Sequence, residues 1–170
     1  MDIKIKPIDI SDIFNASKMM ADSCRQVYIG IMNDEYLSSI SNNQYVALLE
    51  TGLKENTIDC LLAVIEDEIV GISVTRKSKI KQYMDDAEMY ALYLLPNYIG
   101  KGIGSKLYVV TESLLKQQGH KYCSLIVLTQ NNRAIQFYKL HGYQKTEHTT
   151  SVTLMGQELS CDIMRKYLLS

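Results

Sequence analysis

Three glycines ahead of a helical segment are the residues of this chain that most directly suggest chemistry. In Leu92–Lys106 an apolar run is followed by Gly100, Gly102 and Gly104, and then by residues with helical spacing. Glycine lets the backbone adopt positive φ and approach a ligand closely, and a helix N-terminus adds partial positive charge. The pattern predicts a phosphate or pyrophosphate site; the alternative is a glycine turn that only shapes the chain.

Two common nucleotide-binding loops do not fit this spacing. A Walker A loop needs G-x-x-x-x-G-K-[ST], but Gly100 and Gly104 are too close together, and Ser105–Lys106 has the wrong order. A Rossmann loop needs G-x-G-x-x-G near a first strand, whereas this loop lies past the middle of the chain. Both nucleotide interpretations therefore fit poorly.

The elements that must position this loop are strands and helices in mixed order. Alternating polar and apolar residues and β-rich runs predict strands near residues 3–8, 58–65, 69–75, 87–95, 122–128, 143–150 and 158–167. Helical spacing predicts one helix after Ser11 as N-cap, a region at 33–55 broken at 41–43, and helices at 102–118 and 131–141. The result is a mixed α/β domain over residues 1–170, with hairpins at both ends.

Composition and charge place the chain among ordinary globular proteins. Its 170 residues are 46% hydrophobic and 22% charged, and the net charge of −1 gives no reason to expect nucleic-acid binding. Without a signal-peptide stretch or an apolar run of membrane-spanning length, we expect a cytoplasmic protein with no membrane partner.

The four cysteines are far apart and predict free thiols. The histidines at 120, 141 and 148 lack metal spacing, so we expect them on the surface or in loops.

Two runs of residues resemble motifs of the GNAT acetyltransferases. Residues 88–104 are similar to motif A, Arg/Gln-x-x-Gly-x-Gly/Ala after an apolar strand, with Ile99 at the Arg/Gln position, where it cannot donate to a phosphate. Residues 131–143 are similar to motif B, Asn-x-x-Ala-x-x-Phe-Tyr-x-x-x-Gly-Phe/Tyr. The element order fits the family over nearly the whole chain. Motif A and the closing hairpin are most similar to those of bacterial spermidine/spermine-type acetyltransferases.

The resemblance implies a fold, a cosubstrate and a set of binding residues. The fold would be a central, mostly antiparallel mixed sheet of six to seven strands flanked by about four helices. The cosubstrate would be acetyl-CoA, with no metal. Backbone groups of the strand would hold its pantetheine arm, and the glycine loop would hold its pyrophosphate. The implied cofactor-binding residues are Leu92, Tyr93, Leu94, Gly100, Lys101, Gly102, Ile103, Gly104, Ser105 and Asn131. For Asn131, a helix N-cap is an alternative that can coexist with binding.

By the same resemblance, Tyr138 occupies the position of the family's usual general acid, and Glu88 is our candidate base. An alkyl amine has a pKa of about 10.4 and must lose a proton before it attacks a thioester. Strand periodicity predicts that Glu88 shares a face with Leu94, whose N–H would stabilise the oxyanion. The alternatives are a packed aromatic residue for Tyr138, and a solvated or substrate-binding carboxylate for Glu88.

The acceptor is expected to be a primary amine, such as that of a polyamine. Tyr28, Glu35 and Tyr36 are candidates to line its pocket, because carboxylates and aromatic faces suit cations. The alternative for these three residues is the start of a surface helix. Two other functions stay open at this point: acetylation of a protein N-terminus or lysine, and a non-catalytic acetyl-CoA sensor. Because members of the family often dimerise, a homodimer through the C-terminal hairpin is a further expectation.

Overall fold

The chain folds into strands and helices in the predicted order, as seen in a computed structural model that describes residues 2–169. The strands are β1 Lys4–Pro7, β2 Ile58–Ile65, β3 Glu68–Lys77, β4 Ala87–Leu94, β5 Tyr122–Leu128, β6 Gln144–Leu154 and β7 Gln157–Tyr167. The α-helices are α1 Ile13–Val27, α2 Asp34–Ser39, α3 Val46–Lys54, α4 Ile103–Gln117 and α5 Asn132–Leu140. Short 3-10 segments lie at Ile10–Asp12, Lys81–Tyr83 and Pro96–Tyr98. Ser11 is therefore inside a 3-10 turn, not the N-cap of α1.

The strands of the described residues form one sheet in the order β1-β2-β3-β4-β5-β7-β6. Every neighbouring pair is antiparallel except β4 and β5, which are parallel. This confirms the predicted class, a mixed and mostly antiparallel sheet. The described α-helices number five, against about four that the family resemblance implies, and the region at 33–55 divides into α2 and α3 at its predicted break.

Helices cover both faces of the sheet and complete its core. On one face, apolar residues of α1 such as Met20 pack with Leu49 of α3 against alternate residues of β2 and β3 such as Leu62. On the other face, Ile103 and Leu107 of α4 pack against the intervening strand residues. Alternation along a strand places successive side chains on opposite faces, which is why β2 and β3 contribute to both layers.

A bulge interrupts β4 next to β3. Ala91 pairs with Val74 and Met89 pairs with Thr75, so Tyr90 is an extra residue with no partner on β3. One extra residue reverses the in–out alternation beyond it. Met89 accordingly packs on the α4 side of the sheet, and so do Leu92 and Leu94, although strict alternation would separate them from Met89.

The parallel pair β4–β5 is joined only at its beginning. Ala87 pairs with Cys123 and Glu88 with Ser124, and no later β4 residue among those described pairs with β5. Strand β5 stays paired with β7 as far as Leu128. The second half of β4 therefore presents an open edge toward β5. Backbone N–H and C=O groups at such an edge need hydrogen-bond partners, which an extended ligand can supply.

No helix in the described range 2–169 combines the length and the apolar character that a membrane crossing requires. All four cysteines lie buried and unpaired; they are Cys24, Cys60, Cys123 and Cys161.

Candidate active site

The gap between β4 and β5 opens into a cavity of about 280 Å³. Its walls come from the second halves of β4 and β5, the end of α1 with Tyr28, and one face of α5. Ile99 and Gly104, at either end of the glycine loop, also line it. Among the described residues around this cavity, Arg133 is the only one with a charged side chain. The cavity therefore joins the glycine loop to α5 through an apolar passage along β4.

The glycine loop has the geometry that an anion site requires. Gly100 and Gly102 both have φ of +78°, in the left-handed region that side chains disfavour. A Cβ on Gly104 would lie 3.1 Å from Leu94 Cδ1, closer than most Cβ contacts, so glycine favours close packing of α4 on β4. The backbone N–H groups from Gly100 to Ser105 donate to no backbone acceptor in the described part of the chain. They remain available at the N-terminus of α4, where the helix dipole is positive.

The side chains of this loop contribute little charge. Ile103, the first residue of α4, has a fully buried side chain, so only its backbone can face a ligand. Lys101 is exposed, with its Nζ 5.5 Å from the centroid of the Tyr98 ring. Ile99 lines the cavity with an apolar side chain where the family has Arg or Gln. Backbone N–H groups are therefore the main donors that this loop could offer to an anion.

Asn131 caps α5 and also lines the cavity. Its Oδ1 accepts a hydrogen bond from the N–H of Ala134 at 3.2 Å, which is the N-cap role considered from the sequence. Because Oδ1 serves as the acceptor, the side-chain amide N–H₂ is left to donate elsewhere. The N-cap is confirmed, and contact with a cofactor stays a prediction that is compatible with it.

Tyr138 lies at the cavity wall with its ring packed among aromatic residues. Its ring meets those of Phe137 and Tyr143 edge to face, with centroids 5.5 Å apart in each case. Burial raises the pKa of Tyr138 well above its ordinary value, because the charged phenolate is disfavoured away from water. The hydroxyl therefore stays protonated at neutral pH and can act as an acid. Its catalytic role stays a prediction.

Glu88 does not share a strand face with Leu94, contrary to the sequence-based expectation. The bulge at Tyr90 lies between them and reverses the alternation. Glu88 is 4% exposed and is not among the residues that line the cavity. Its carboxylate accepts from Arg76 Nε at 3.0 Å and Nη2 at 2.9 Å, and from the N–H of Lys79 at 3.0 Å. The geometric argument for Glu88 as a direct base is therefore wrong, although the role itself remains to be tested.

Of the three acceptor-site candidates, the structure brings only Tyr28 to the cavity. Burial raises the pKa of Tyr28 to about 12. Tyr36 packs instead on a cluster that includes Cys24 and Leu37, and Glu35 is exposed on α2. Neither Glu35 nor Tyr36 lines this cavity, because α2 turns its apolar face onto α1. A part in binding the acceptor outside the cavity stays a prediction for both residues.

Several residues near the cavity escape sequence reasoning because their partners are distant in the chain. Ser23 of α1 donates its hydroxyl to the carbonyl of Leu94 at 2.8 Å. Gln157 joins the β6–β7 turn to the segment after α1, since its Oε1 accepts from the Asn33 N–H at 2.7 Å and its Nε2 donates to the Ile31 carbonyl at 3.2 Å. No local pattern signals contacts of this kind, because they depend on how the segments dock.

The bulge residue Tyr90 also escapes sequence reasoning, and it lines the cavity. The Arg76 guanidinium lies 4.1 Å from the centroid of the Tyr90 ring, in a cation–π contact. The same guanidinium holds Glu88, so the bulge, the ring and the ion pair form one unit at the side of the cavity. A tyrosine is common in strands, so its identity does not mark the bulge.

Comparison with known proteins supplies a family and several relatives. The sequence profile of the acetyltransferase (GNAT) family matches residues 26–143. The spermidine N(1)-acetyltransferase of Thermoplasma acidophilum is 29% identical over 154 residues, which cover 88% of this chain and 92% of that protein.

Solved structures extend the comparison to the fold. The crystal structure of the PaiA N-acetyltransferase from Thermoplasma acidophilum in complex with coenzyme A is 25% identical, with a TM-score of 0.78 over 98% of this chain and 99% of that one. The ribosomal-protein-alanine N-acetyltransferase of Brucella melitensis shares the fold at 16% identity, with a TM-score of 0.76 over 96% of this chain and 99% of that one.

Proposed function

The chain belongs to the GNAT acetyltransferase family and is an N-acetyltransferase; we propose that it moves the acetyl group of acetyl-CoA directly to the primary amine of a small molecule. The observation that carries the proposal is the continuous cavity that joins the glycine loop to Tyr138 along the open edge of β4. A polyamine is the acceptor we favour, because a relative at 29% identity is a spermidine acetyltransferase.

In this proposal, the chain holds acetyl-CoA largely through backbone groups. The free N–H groups of residues 100–105 bind the pyrophosphate. The unpaired edge of β4 at Leu92, Tyr93 and Leu94 binds the pantetheine arm as an added strand would. Asn131 contributes its side-chain amide from the opposite wall. Backbone recognition of this kind does not need the Arg or Gln that Ile99 replaces.

Acetyl-CoA supplies a thioester, and the amine attacks the carbonyl carbon of that thioester. The N–H of Leu94 is the proposed donor to the carbonyl oxygen as negative charge develops there. The bond from carbon to nitrogen forms, the bond from carbon to sulfur breaks, and the protonated hydroxyl of Tyr138 gives its proton to the departing thiolate. Burial keeps Tyr138 protonated at neutral pH, so the phenol still holds its proton when the thiolate forms.

The proton of the attacking amine must leave by another path. Within the described residues that line the cavity there is no carboxylate, and Glu88 is held by Arg76. We therefore propose that water carries the proton out of the cavity. In this account Glu88 maintains the bulge by pairing with Arg76 and does not contact the amine.

Three further parts of the proposal concern the protein as a whole. We propose that residues 1–170 act as one domain, that the protein forms a homodimer, and that it works in the cytoplasm, where a reducing environment suits four buried thiols. Light scattering of the purified protein during gel filtration tests the dimer, because a monomer gives a mass of 19.4 kDa.

The experiment that tests the function is acetylation of a mixed panel of amines, read by mass spectrometry. The panel contains polyamines, amino acids, aminoglycosides and short peptides, each offered with acetyl-CoA. Acetylated polyamine, or another acetylated small amine, supports the proposal. Acetylation of peptides alone replaces it with the protein-directed alternative. Acetyl-CoA binding with no acetylated product in the panel favours a sensor.

A further inference from the structure

A histidine side chain lies against the first turn of α4, where the glycine loop ends. His141 Nε2 is 3.0 Å from the hydroxyl oxygen of Ser105, and this is the one hydrogen bond that the Ser105 hydroxyl makes among the described residues. Ser105 belongs to the loop whose backbone N–H groups have no internal backbone acceptor. The two residues are 36 positions apart, so only the docking of α5 on α4 brings them together.

The imidazole of His141 packs against two neighbouring aromatic rings. The centroid of the Tyr108 ring is 4.3 Å away and that of the Phe137 ring is 4.5 Å away. Tyr108 is itself held, because its hydroxyl donates to Glu112 and accepts from Lys166 Nζ at 3.3 Å. A ring restrained in this way directs Nε2 at a single target, the Ser105 hydroxyl.

The charged groups around His141 favour its neutral form. Burial lowers the pKa of His141, and nearby Lys166 lowers it further, while Glu112 acts in the opposite direction. Of the two neutral tautomers, the one with a proton on Nε2 donates to the Ser105 oxygen. The Ser105 hydroxyl proton is then free to point elsewhere, because its oxygen already accepts a hydrogen bond.

We propose that His141 is a positioning residue of the cofactor site, which donates to Ser105 so that the Ser105 hydroxyl donates to a phosphate oxygen of acetyl-CoA. The proposal rests on the proposed function, in which residues 100–105 hold the pyrophosphate. The Ser105 hydroxyl, positioned by His141, thus gives the loop a side-chain donor, which Ile99 cannot provide. Hydrogen bonds to a charged acceptor are stronger than those between neutral groups, so the pair has a measurable effect on affinity.

The test is a double-mutant cycle on coenzyme A binding, measured by isothermal titration calorimetry. His141→Phe removes the donor and keeps an aromatic ring beside Tyr108 and Phe137, while Ser105→Ala removes the hydroxyl. We expect each single variant to raise the Kd about tenfold. The double variant should be no weaker than Ser105→Ala alone, since His141 acts only through Ser105.

Two further measurements separate positioning from packing. His141→Gln, which restores an N–H donor, should recover most of the affinity. In acetylation assays the loss should appear in the KM for acetyl-CoA rather than in kcat. His120→Phe, in the loop between α4 and β5, is the matched control and should bind coenzyme A as the wild type does.

The possible results are distinguishable. A Kd that His141→Phe leaves unchanged, or single effects that simply add in the double variant, would overturn the role of His141 while the proposed function stands. A wild-type protein that binds no coenzyme A would overturn both. A loss of affinity in His141→Gln with none in His141→Phe would show that ring packing, not the hydrogen bond, is what matters.

Discussion

The sequence names Tyr138 and Glu88 as candidates for proton transfer, and the structure gives the two residues opposite surroundings. Tyr138 lines the cavity and has no ionic partner among the described residues, so no ion pair holds its proton. Glu88 has both carboxylate oxygens occupied by Arg76 and a backbone N–H. A residue type suggests what a side chain can do, and its neighbours decide whether it is free to do it.

For Tyr138→Phe we expect kcat to fall by about 10² to 10³, which is typical for loss of a general acid. The Kd for coenzyme A should change less than about twofold, because the ring packing is kept. Stopped assays of acetylation and calorimetric binding measure the two quantities. Tyr143→Phe is the matched control: the Tyr143 hydroxyl is buried without a hydrogen-bond partner in the described structure, so its removal should leave kcat unchanged. An unchanged kcat in Tyr138→Phe would contradict the assignment.

For Glu88→Gln we expect a loss of stability rather than of catalysis. Arg76 would keep a desolvated charge without an anion, which should cost about 2 kcal/mol in the free energy of unfolding. The kcat should stay within about threefold of the wild type, since Glu88 does not line the cavity. Urea denaturation and steady-state rates provide the comparison, with Glu50→Gln on the exposed face of α3 as control. A hundredfold fall in kcat with wild-type stability would instead identify Glu88 as the base.

At the scale of elements, two local irregularities create the site. The bulge at Tyr90 changes which side chains of β4 face α4, and the divergence of β4 from β5 leaves a strand edge open. The glycine loop then leads the chain from the end of β4 into α4 with positive φ at two positions. A regular strand followed by a regular turn would close the gap and leave no cavity.

The loop conformation can be tested by Gly102→Ala. A Cβ at this position meets nothing within 4 Å, so the substitution acts through φ alone. We expect a cost of about 1–2 kcal/mol in stability if φ is kept, and at least tenfold weaker binding of coenzyme A if the loop relaxes. Gly119→Ala is the matched control, because Gly119 also has positive φ with open space and lies after α4. Equal coenzyme A affinities in the two variants would contradict a role for the loop in binding.

At the scale of the whole molecule, charged side chains join elements that are distant in sequence. Glu112 of α4 pairs with Lys116 at 2.8 Å, and also with Lys166 of β7, while accepting from Tyr108. This network connects α4, which follows the glycine loop, to β7, the strand beside β5. Loss of this network would weaken the packing that holds α4 and His141 in place.

The network predicts a specific loss of stability in acid. Burial alone would raise the pKa of Glu112, but hydrogen bonds from Lys116, Lys166 and Tyr108 outweigh it and lower that pKa to about 2. A carboxylate whose pKa is lower in the folded state stabilises the fold above its unfolded pKa, and this contribution is lost as pH falls toward 2. Between pH 5 and pH 3 the wild type should lose about 1–2 kcal/mol more than Glu112→Gln in urea denaturation. Parallel pH curves for the two proteins would contradict the ion-pair account.

The amino-acid sequence by itself determined the order and type of nearly all elements, the mixed sheet, and the family. Periodicity and glycine positions are local signals, and motif positions such as Tyr138 and Asn131 stand at fixed spacing from glycines. The tertiary structure alone decided which face Glu88 occupies, where Glu35 and Tyr36 lie, and that His141 meets Ser105. The reason is physical. A bulge depends on the register with the neighbouring strand, and an ion pair depends on how two elements dock, so neither can be counted along a single segment.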